Sequence, residues 1–345
     1  MKEVYLCGLS MLTPLGADAR AVKAAIDSGM SSYQECDVLG ADEPSIKFSP
    51  VPDGALKIRL PNSLPGLSVP QIRLLQIASF ALADIATQLP AQHLPLFLAG
   101  PEPYYQQIGV NQKFIQNLVI ASGVNIDHAN SRYIATGRSG VIEAIATAFK
   151  YFQSTGAHYA LVGGIDSFYD IRTIGILEER KRLLGSNSVD GFVPGEGAGF
   201  LLLASPFAPE SIRQNSSLKL HQPVLVREPG HLLESAPYTA EALSTACKNA
   251  ISGAVSRVGV LYSSENGEMH YTKELSIATI RNQHNLLPTR QIYRPAECFG
   301  DLGAAFGAVA IGLASVDIKK SGGATTLICA SSDGGPRGAI CVSAI

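Results

Sequence analysis

The sequence predicts an α/β fold in which layers of helix and sheet alternate. Short apolar runs typical of buried strands alternate with segments of helical spacing, an order typical of sheets covered by helices. The central predicted helices are rich in small residues and poor in charge, so we expect them to lie inside the molecule. The length of 345 residues and the apolar fraction of 46% suffice for a large buried core.

The first half of the chain opens with a strand, a turn and a helix. The apolar run 4–10 ends at the turn 14–16, and Gly29 closes the helix that follows. Residues 40–70 carry six prolines and no sustained periodicity, which indicates irregular or short-stranded surface. The elements predicted in this half are strand 4–10, helix 18–28, helix 72–89, strand 95–99, helix 135–152, strand 159–164 and a strand within 189–203.

The second half repeats this alternation. Its predicted elements are helix 239–252, strand 258–263, helix 272–283, helix 303–315 and the closing strand pair 324–331 and 339–344. The polar, proline-containing segment 206–217 joins the two halves, which we place at 1–205 and 218–345. Because the halves share one layered core, we expect residues 1–345 to form a single domain.

The charge balance argues against nucleic acid as a partner. The chain has 27 basic and 29 acidic residues, a net charge of −2, and no run of five or six like charges. Binding to a phosphate backbone requires a clustered basic surface. Residues 1–16 lack the features of a signal peptide, and no apolar stretch reaches the roughly 18 to 20 uncharged residues that span a bilayer. We therefore expect a cytoplasmic protein without a membrane span.

The cysteines and histidines form no recognisable metal or disulfide pattern. The six cysteines include no C-x-x-C pair, so we expect buried thiols. The seven histidines show no ligand spacing. The glycine-rich segments 163–164 and 195–199 lack the strand-to-helix context of a nucleotide site. We expect neither a metal nor a cofactor.

Five short motifs occur in an order known from one family. They are GLSMLTPLG at 8–16, ATG at 135–137, VGGIDS at 162–167, DGFVPGEGAG at 190–199 and LGAA at 302–305. With these motifs the sequence resembles the β-ketoacyl synthases of the thiolase superfamily over nearly its whole length. The resemblance implies a thiolase-like fold, in which two pseudo-duplicated halves give a layered α/β/α/β/α sandwich.

By this resemblance, position 134 corresponds to the catalytic cysteine of the family. That cysteine precedes the Ala-Thr-Gly motif at the start of a buried helix, which stabilises the thiolate. In this sequence Ile134 stands directly before the motif at 135–137. An alkyl side chain forms no thioester, so the covalent step of condensation is missing.

The other catalytic positions of the family are also substituted. The resemblance aligns Asn266 and Asp301 with the two histidines, and the lysine position falls near Ala296 or Glu297. An amide such as that of Asn266 does not titrate usefully. The aromatic turn that gates the pocket and supplies an oxyanion donor has lost its aromatic residues. Its remnant is Asp333, Gly334 and Gly335. We therefore expect no catalytic residue and no condensing activity.

This pattern resembles the chain-length-factor subunits of type II polyketide systems, most specifically the cysteine-less partner in bacterial aryl polyene assembly. The resemblance implies a heterodimer or larger complex with an active ketosynthase, and an indirect role for the acyl carrier protein that carries the growing chain. The first halves of such proteins pair, and strand 129–133 would lie near the seam. Bulky side chains between positions 100 and 118 would line and limit the acyl tunnel. They are Tyr104, Tyr105, Ile108, Phe114 and Leu118.

Two other interpretations stay open at this point. The chain could be a residual thiolase-fold enzyme, a hydrolase or decarboxylase that uses Asp301, Asn266 or Cys298, with Glu265 in the same cluster. It could also be a structural homodimer without activity. Simpler roles compete with these: Cys298 as an inert buried thiol, and Glu196 as a brace that accepts backbone hydrogen bonds.

Overall fold

One large mixed sheet runs through the described part of the chain. The computed structural model describes residues 1–36, 45–57, 60–61, 64, 66–88, 90, 93–105, 111–185, 188–254, 256–320 and 325–345. Within these residues, eleven strands join in the large sheet, and two short strands form a separate ribbon.

The strands and helices alternate as the sequence predicts. The strands are β1 (Glu3–Leu12), β2 (Gln34–Cys36), β3 (Ile46–Phe48), β4 (Leu96–Ala99), β5 (Arg132–Ile134), β6 (Tyr159–Ser167), β7 (Glu196–Ala204), β8 (Leu218–His221), β9 (Val224–Arg227), β10 (Val258–Ser263), β11 (Leu286–Tyr293), β12 (Thr325–Ser331) and β13 (Pro336–Ser343). The helices are α1 (Ala19–Asp27), α2 (Val69–Ala86), α3 (Gln112–Ser122), α4 (Gly140–Thr155), α5 (Ile171–Glu179), α6 (Glu210–Gln214), α7 (Glu241–Ser252), α8 (Met269–Arg281), α9 (Ala296–Phe299) and α10 (Phe306–Lys320).

The order of the strands repeats in the two halves. The first half contributes β5-β4-β6-β7-β1, and the second contributes β11-β10-β12-β13-β8 in the same arrangement. In each half the first three strands of this order run parallel, and the fourth pairs antiparallel with the third. β1 and β8 pair antiparallel where the halves meet, from Glu3 opposite His221 to Leu6 opposite Leu218. This repeat confirms the two pseudo-duplicated halves.

Two helices lie between the strands of the two halves. α4 packs against β4 and β6 on one side and against β9 and β13 on the other, and α10 contacts β1, β6 and β7 as well as β12 and β13. Small residues permit this approach, since a Cβ added at Gly199 on β7 would lie 2.8 Å from the Cβ of Ala308 on α10. α2 and α3 cover the first half, and α7 and α8 cover the second. The layers are therefore α/β/α/β/α.

A cap and a buried ion pair position α2. The Ser68 and Gln71 side chains form a capping box at its start. One turn later, Arg73 Nε donates to Oε2 of the fully buried Glu196 on β7 over 2.7 Å. The other Glu196 oxygen accepts the backbone N–H of Val51 over 2.8 Å, which agrees with the predicted brace. By length and composition alone, α2 is the one helix of the described residues that could cross a membrane, and it packs here on β1, β6 and β7.

The helix predicted over 135–152 differs from the prediction at both of its ends. The α-helix begins at Gly140 and continues to Thr155. A tight 3₁₀ turn precedes it, because Gly137 adopts a φ of +57°, which an α-helix does not accommodate.

Several elements escape the sequence prediction. They are α3, α5, α6, α9, β2, β8, β9 and β11. β11 lies at one end of the strand order and carries the exposed polar residues Thr289 and Gln291. The apolar signal of a buried strand is therefore weak in this segment. The predicted seam strand 129–133 is also shifted, since β5 spans Arg132–Ile134.

A buried lysine connects α1 to the second half. Lys23 is 1% exposed, and its Nζ lies 3.1 Å from Asp317 Oδ1 on α10 and 3.0 Å from the Tyr293 hydroxyl on β11. Asp27, one turn further along α1, also contacts the ammonium group. The Tyr262 hydroxyl donates to the other oxygen of Asp317 over 2.5 Å. Loss of the ammonium group would leave a buried carboxylate without its counter-charge.

We expect Lys23→Met to lower the free energy of unfolding by about 3 kcal/mol, because breaking a buried pair leaves the Asp317 carboxylate uncompensated. The matched control is Lys248→Met on the exposed face of α7, which should change stability by less than about 0.5 kcal/mol. Urea unfolding followed by circular dichroism measures both variants. Equal stabilities would contradict the role assigned to Lys23.

Candidate functional site

Three of the positions that the family resemblance assigns to catalysis or to the pocket gate lie in one buried network between the halves: Asn266, Asp301 and Asp333. Ile134 ends β5, and Asn266 follows β10. Asp301 precedes α10, and Asp333 follows β12. Asn266 Nδ2 donates to Asp301 Oδ2 over 3.0 Å. Arg138, four residues after Ile134, donates to both aspartates. Segments that are distant in sequence therefore meet at this site.

Arg138 is the central cation of the site. Its Nε donates to Asp301 Oδ2 over 2.7 Å, its Nη2 contacts the same oxygen, and its Nη1 donates to Asp333 Oδ1 over 2.6 Å. The Tyr271 hydroxyl donates to Asp333 as well. Burial alone would lower the pKa of Arg138, but Asp301 and Asp333 raise it well above the usual value. Arg138 therefore remains a permanent buried cation.

Arg182 extends the ion network to the start of α8. It follows α5, and its Nε and Nη2 donate to the two carboxylate oxygens of Glu268 over 2.7 and 2.6 Å. Its Nη1 donates to Asp333 Oδ2 over 2.6 Å. Burial opposes the charge of Asp333, yet Arg182 and Arg138 hold the pKa of this carboxyl well below its usual range. Fork-to-fork contacts of this kind are among the strongest hydrogen bonds in proteins.

Two further acids border a small cavity beside Arg138. Burial raises the pKa of Glu102 to about 8, with a contribution from Asp333, and it raises the pKa of Asp166 to about 7. The cavity has a volume of about 20 Å³, and both acids, Arg138, Gly137 and Asp333 line it. A volume of this size holds about one water molecule.

The residues proposed for an alternative acid–base cluster are mostly engaged elsewhere. Asn266 and Asp301 bond to each other within the ion network. Glu265 is engaged with a different partner, since its Oε2 pairs with Arg294 Nε at 2.7 Å. Burial, followed by the charge of Glu297, raises the pKa of the Cys298 thiol. A thiol in that state is a poor nucleophile at neutral pH.

The remaining predicted positions serve packing or backbone contacts. Ile134 packs in the central apolar core, and the carbonyl of Ala296 accepts the Tyr33 hydroxyl over 2.6 Å. The backbone N–H groups of Asp333 and Gly334 both donate to Glu102, and Gly335 holds a φ of +106°. Cys247, Cys298, Cys329 and Cys341 are buried as predicted, whereas Cys7 and Cys36 are half-buried. In the described part of the chain, no three His, Cys, Asp or Glu residues stand together as metal ligands.

The residues predicted to line a tunnel are spread over different environments. Phe114 and Leu118 are buried on α3, in the apolar core that α2 shares. Tyr104 is 46% exposed, and a Cβ added at Gly334 would lie 2.3 Å from its ring. Tyr105 lies in a short 3₁₀ turn, and Ile108 lies outside the described residues. Their role in a tunnel stays a prediction.

Sequence reasoning missed six residues of the site: Glu102, Arg138, Asp166, Arg182, Glu268 and Tyr271. One signal was present, since Arg138 is a rare charge at the start of a predicted buried helix. A buried arginine requires acidic partners, and the resemblance offers two: Asp301 at the position of a histidine, and Asp333 in the remnant of the gating turn.

We expect Glu102 and Asp166 to contribute stability that is lost as the pH rises from about 4.5 to about 8. Folding raises the pKa values of Glu102 and Asp166, so the folded chain keeps protons that the unfolded chain releases. Glu102→Gln removes one of these protons. Its slope of stability against pH between pH 5 and 7 should differ from that of the native chain by about 1.4 kcal/mol per pH unit.

Urea unfolding at intervals of half a pH unit measures this slope. The matched control is Glu297→Gln, whose side chain is 66% exposed, and it should leave the slope unchanged. Identical slopes for Glu102→Gln and the native chain would show that Glu102 is ionised when the chain is folded.

Comparison with known proteins supports the fold and leaves the sequence unmatched. No protein-family model and no curated protein matches the chain. The ketosynthase from module 6 of the bacillaene synthase from Bacillus subtilis 168 superposes with a TM-score of 0.76 at 14% identity, over 99% of this chain and 72% of that chain. A type II polyketide synthase ketosynthase, solved in complex with its acyl-carrier protein, gives a TM-score of 0.76 at 15% identity over 100% of both chains.

The ishigamide ketosynthase/chain length factor gives a TM-score of 0.75 at 15% identity, over 100% of this chain and 99% of that chain. At these identities the similarity concerns the fold. The chain therefore has the thiolase-like α/β fold of the ketosynthases, as its motifs predict.

Proposed function

We propose that this chain is a non-condensing, ketosynthase-like subunit of the chain-length-factor type. In this role it pairs with an active β-ketoacyl-ACP synthase in polyketide or aryl polyene biosynthesis and helps shape the acyl tunnel. The proposed location of the complex is the cytoplasm. The observation that carries the proposal is the buried ion network of Arg138, Asp301 and Asp333. It occupies the positions at which a condensing enzyme of this family has a base and the gate of its pocket.

The carboxylates of this network are poorly suited to proton transfer. One oxygen of Asp301 accepts hydrogen bonds from Arg138 and from Asn266, and Asp333 accepts from Arg138, Arg182 and Tyr271. A general base needs a pKa near the working pH, whereas the pKa of Asp333 lies well below its usual range. Together with Ile134 in place of a nucleophile, this supports a role without chemistry of its own.

The edge of the first half supports pairing with another subunit. β5 ends the strand order of the described sheet, and the family resemblance puts the seam between subunits at this strand. The Gln112 side chain on α3 occupies two backbone groups at this edge, since it accepts from Tyr133 N over 3.0 Å and donates to Ser131 O over 3.2 Å, so a partner meets the sheet at the other groups of β5. A ketosynthase/chain length factor complex is among the solved structures of the same fold.

The residual-enzyme hypothesis has less support. Its three candidate residues are Asp301, Asn266 and Cys298. The first two bond to each other within the ion network, and burial raises the pKa of the Cys298 thiol. A hydrolase or decarboxylase would need at least one of these groups unbound and facing a cavity that admits a thioester.

Pairwise co-expression with each active β-ketoacyl-ACP synthase of the source organism tests the proposal. We expect one synthase to co-purify at a 1:1 ratio by size-exclusion chromatography with light scattering. With malonyl-carrier substrate, mass spectrometry should then detect condensation products from the complex and none from this chain alone.

Charge reversal at the seam tests where the partner binds, and charge reversal on the opposite half is the matched control. Arg132→Glu on the exposed part of β5 should weaken the complex at least tenfold, whereas Lys248→Glu on the opposite half should leave it intact. A stable homodimer of this chain that turns over acyl thioesters by itself would overturn the proposal and favour the residual enzyme.

A further inference from the structure

The remnant of the oxyanion turn has no backbone donor to offer a substrate. All five N–H groups of residues 331–335 donate within the chain. Their acceptors are Ser264 Oγ at 3.0 Å, Pro336 O at 3.0 Å, the two carboxylate oxygens of Glu102 at 2.8 Å each, and Ser332 O at 3.4 Å. A thioester carbonyl entering this place would have to displace one of these acceptors.

Glu102 fills the space beside the turn. It is 7% exposed, and its two oxygens accept from two successive N–H groups, which is the geometry in which a backbone nest holds an anionic or acidic ligand. On its other side, a Cβ added at Gly137 would lie 2.5 Å from Glu102 Cγ. Gly137 N in turn donates to Gly100 O, and Gly100 N donates to Ile134 O. The segment that carries Glu102 therefore lies directly against the 134–137 segment.

Arg182 joins the turn to two neighbouring segments of the chain. It connects the segment after α5 to Glu268 at the start of α8 and to Asp333 in the turn, and all three side chains are buried. The cavity beside Glu102, which Asp333 also lines, has only about 20 Å³, far less than the several hundred Å³ of an ordinary ligand pocket.

We propose that this chain keeps its remnant pocket closed with its own side chains, Glu102 against the turn and Arg182 across the loops, so that reagents and thioesters do not reach residue 134. Closure belongs to the single chain and does not depend on a partner subunit. It implies that a cysteine restored at position 134 would remain unreactive.

Alkylation of the full-length Ile134→Cys variant tests the proposal. The variant is treated with N-ethylmaleimide at pH 8, and peptide mass spectrometry follows each cysteine separately. We expect Cys introduced at 134 to react at least tenfold more slowly than the half-buried Cys36, and within a few-fold of Cys298, which is 9% exposed as Ile134 is. In Ile134→Cys/Glu102→Ala its rate should rise at least tenfold while Cys329 stays protected.

Two comparisons separate access from other effects. The smaller reagent methyl methanethiosulfonate should show a lesser increase, because a change in thiolate fraction affects both reagents equally and a change in access favours the larger one. Ile134→Cys/Glu143→Ala, altered on α4 outside the cavity lining, should react like Ile134→Cys alone.

If Glu102→Ala also exposes Cys329, the variant has unfolded, and Ile134→Cys/Arg182→Met then replaces it.

A rate at position 134 equal to that of Cys36 in the single variant would overturn the proposal, because the pocket would already be open. The proposal would also be overturned if Ile134→Cys/Glu102→Ala and Ile134→Cys/Arg182→Met both fold and both keep the cysteine at position 134 unreactive. Other residues would then close the pocket.

Discussion

The centre of the molecule depends on the contacts of Arg138 with Asp301 and Asp333. The arginine belongs to the first half of the chain and both aspartates to the second, so these bonds join the halves where their loops meet. Two unit charges 4 Å apart attract by about 4 kcal/mol at an effective dielectric constant near 20, but dehydrating them costs a comparable amount. The network therefore adds little net stability compared with an apolar core, while loss of one member leaves uncompensated charge.

The charges around Arg138 are balanced by protonation as well as by pairing. Arg138 and Arg182 form ion pairs with three carboxylates: Glu268, Asp301 and Asp333. Glu102 and Asp166 would add two more negative charges to the same buried volume, and their raised pKa values keep them largely protonated at mildly acidic pH. Because Arg138, Asp301 and Asp333 bond to one another, the centre of this ketosynthase-like fold is held together by buried ion pairs.

Much of the fold follows from local patterns, whereas the network does not. Small residues in α10 and the Ala-Thr-Gly motif before α4 predicted buried central helices, and the motif order predicted which positions would meet. The partners of Arg138 and Glu102 lie between 133 and 232 residues away in sequence, so no periodicity or spacing indicates them. α3 and β11 were missed because both mix polar and apolar residues, and the start of α4 was displaced by the backbone conformation of Gly137.

The unfolding free energy of Arg138→Met, measured in urea against the native chain, tests most directly whether this site now serves structure. A loss of about 3 to 5 kcal/mol is predicted, because Asp301 and Asp333 would remain buried without their shared cation. Arg138→Lys should recover only part of this loss, since an ammonium group cannot bond both carboxylates with the geometry of a guanidinium. A change of less than about 1 kcal/mol in Arg138→Met would contradict the account, because the aspartates would then be stable without the arginine.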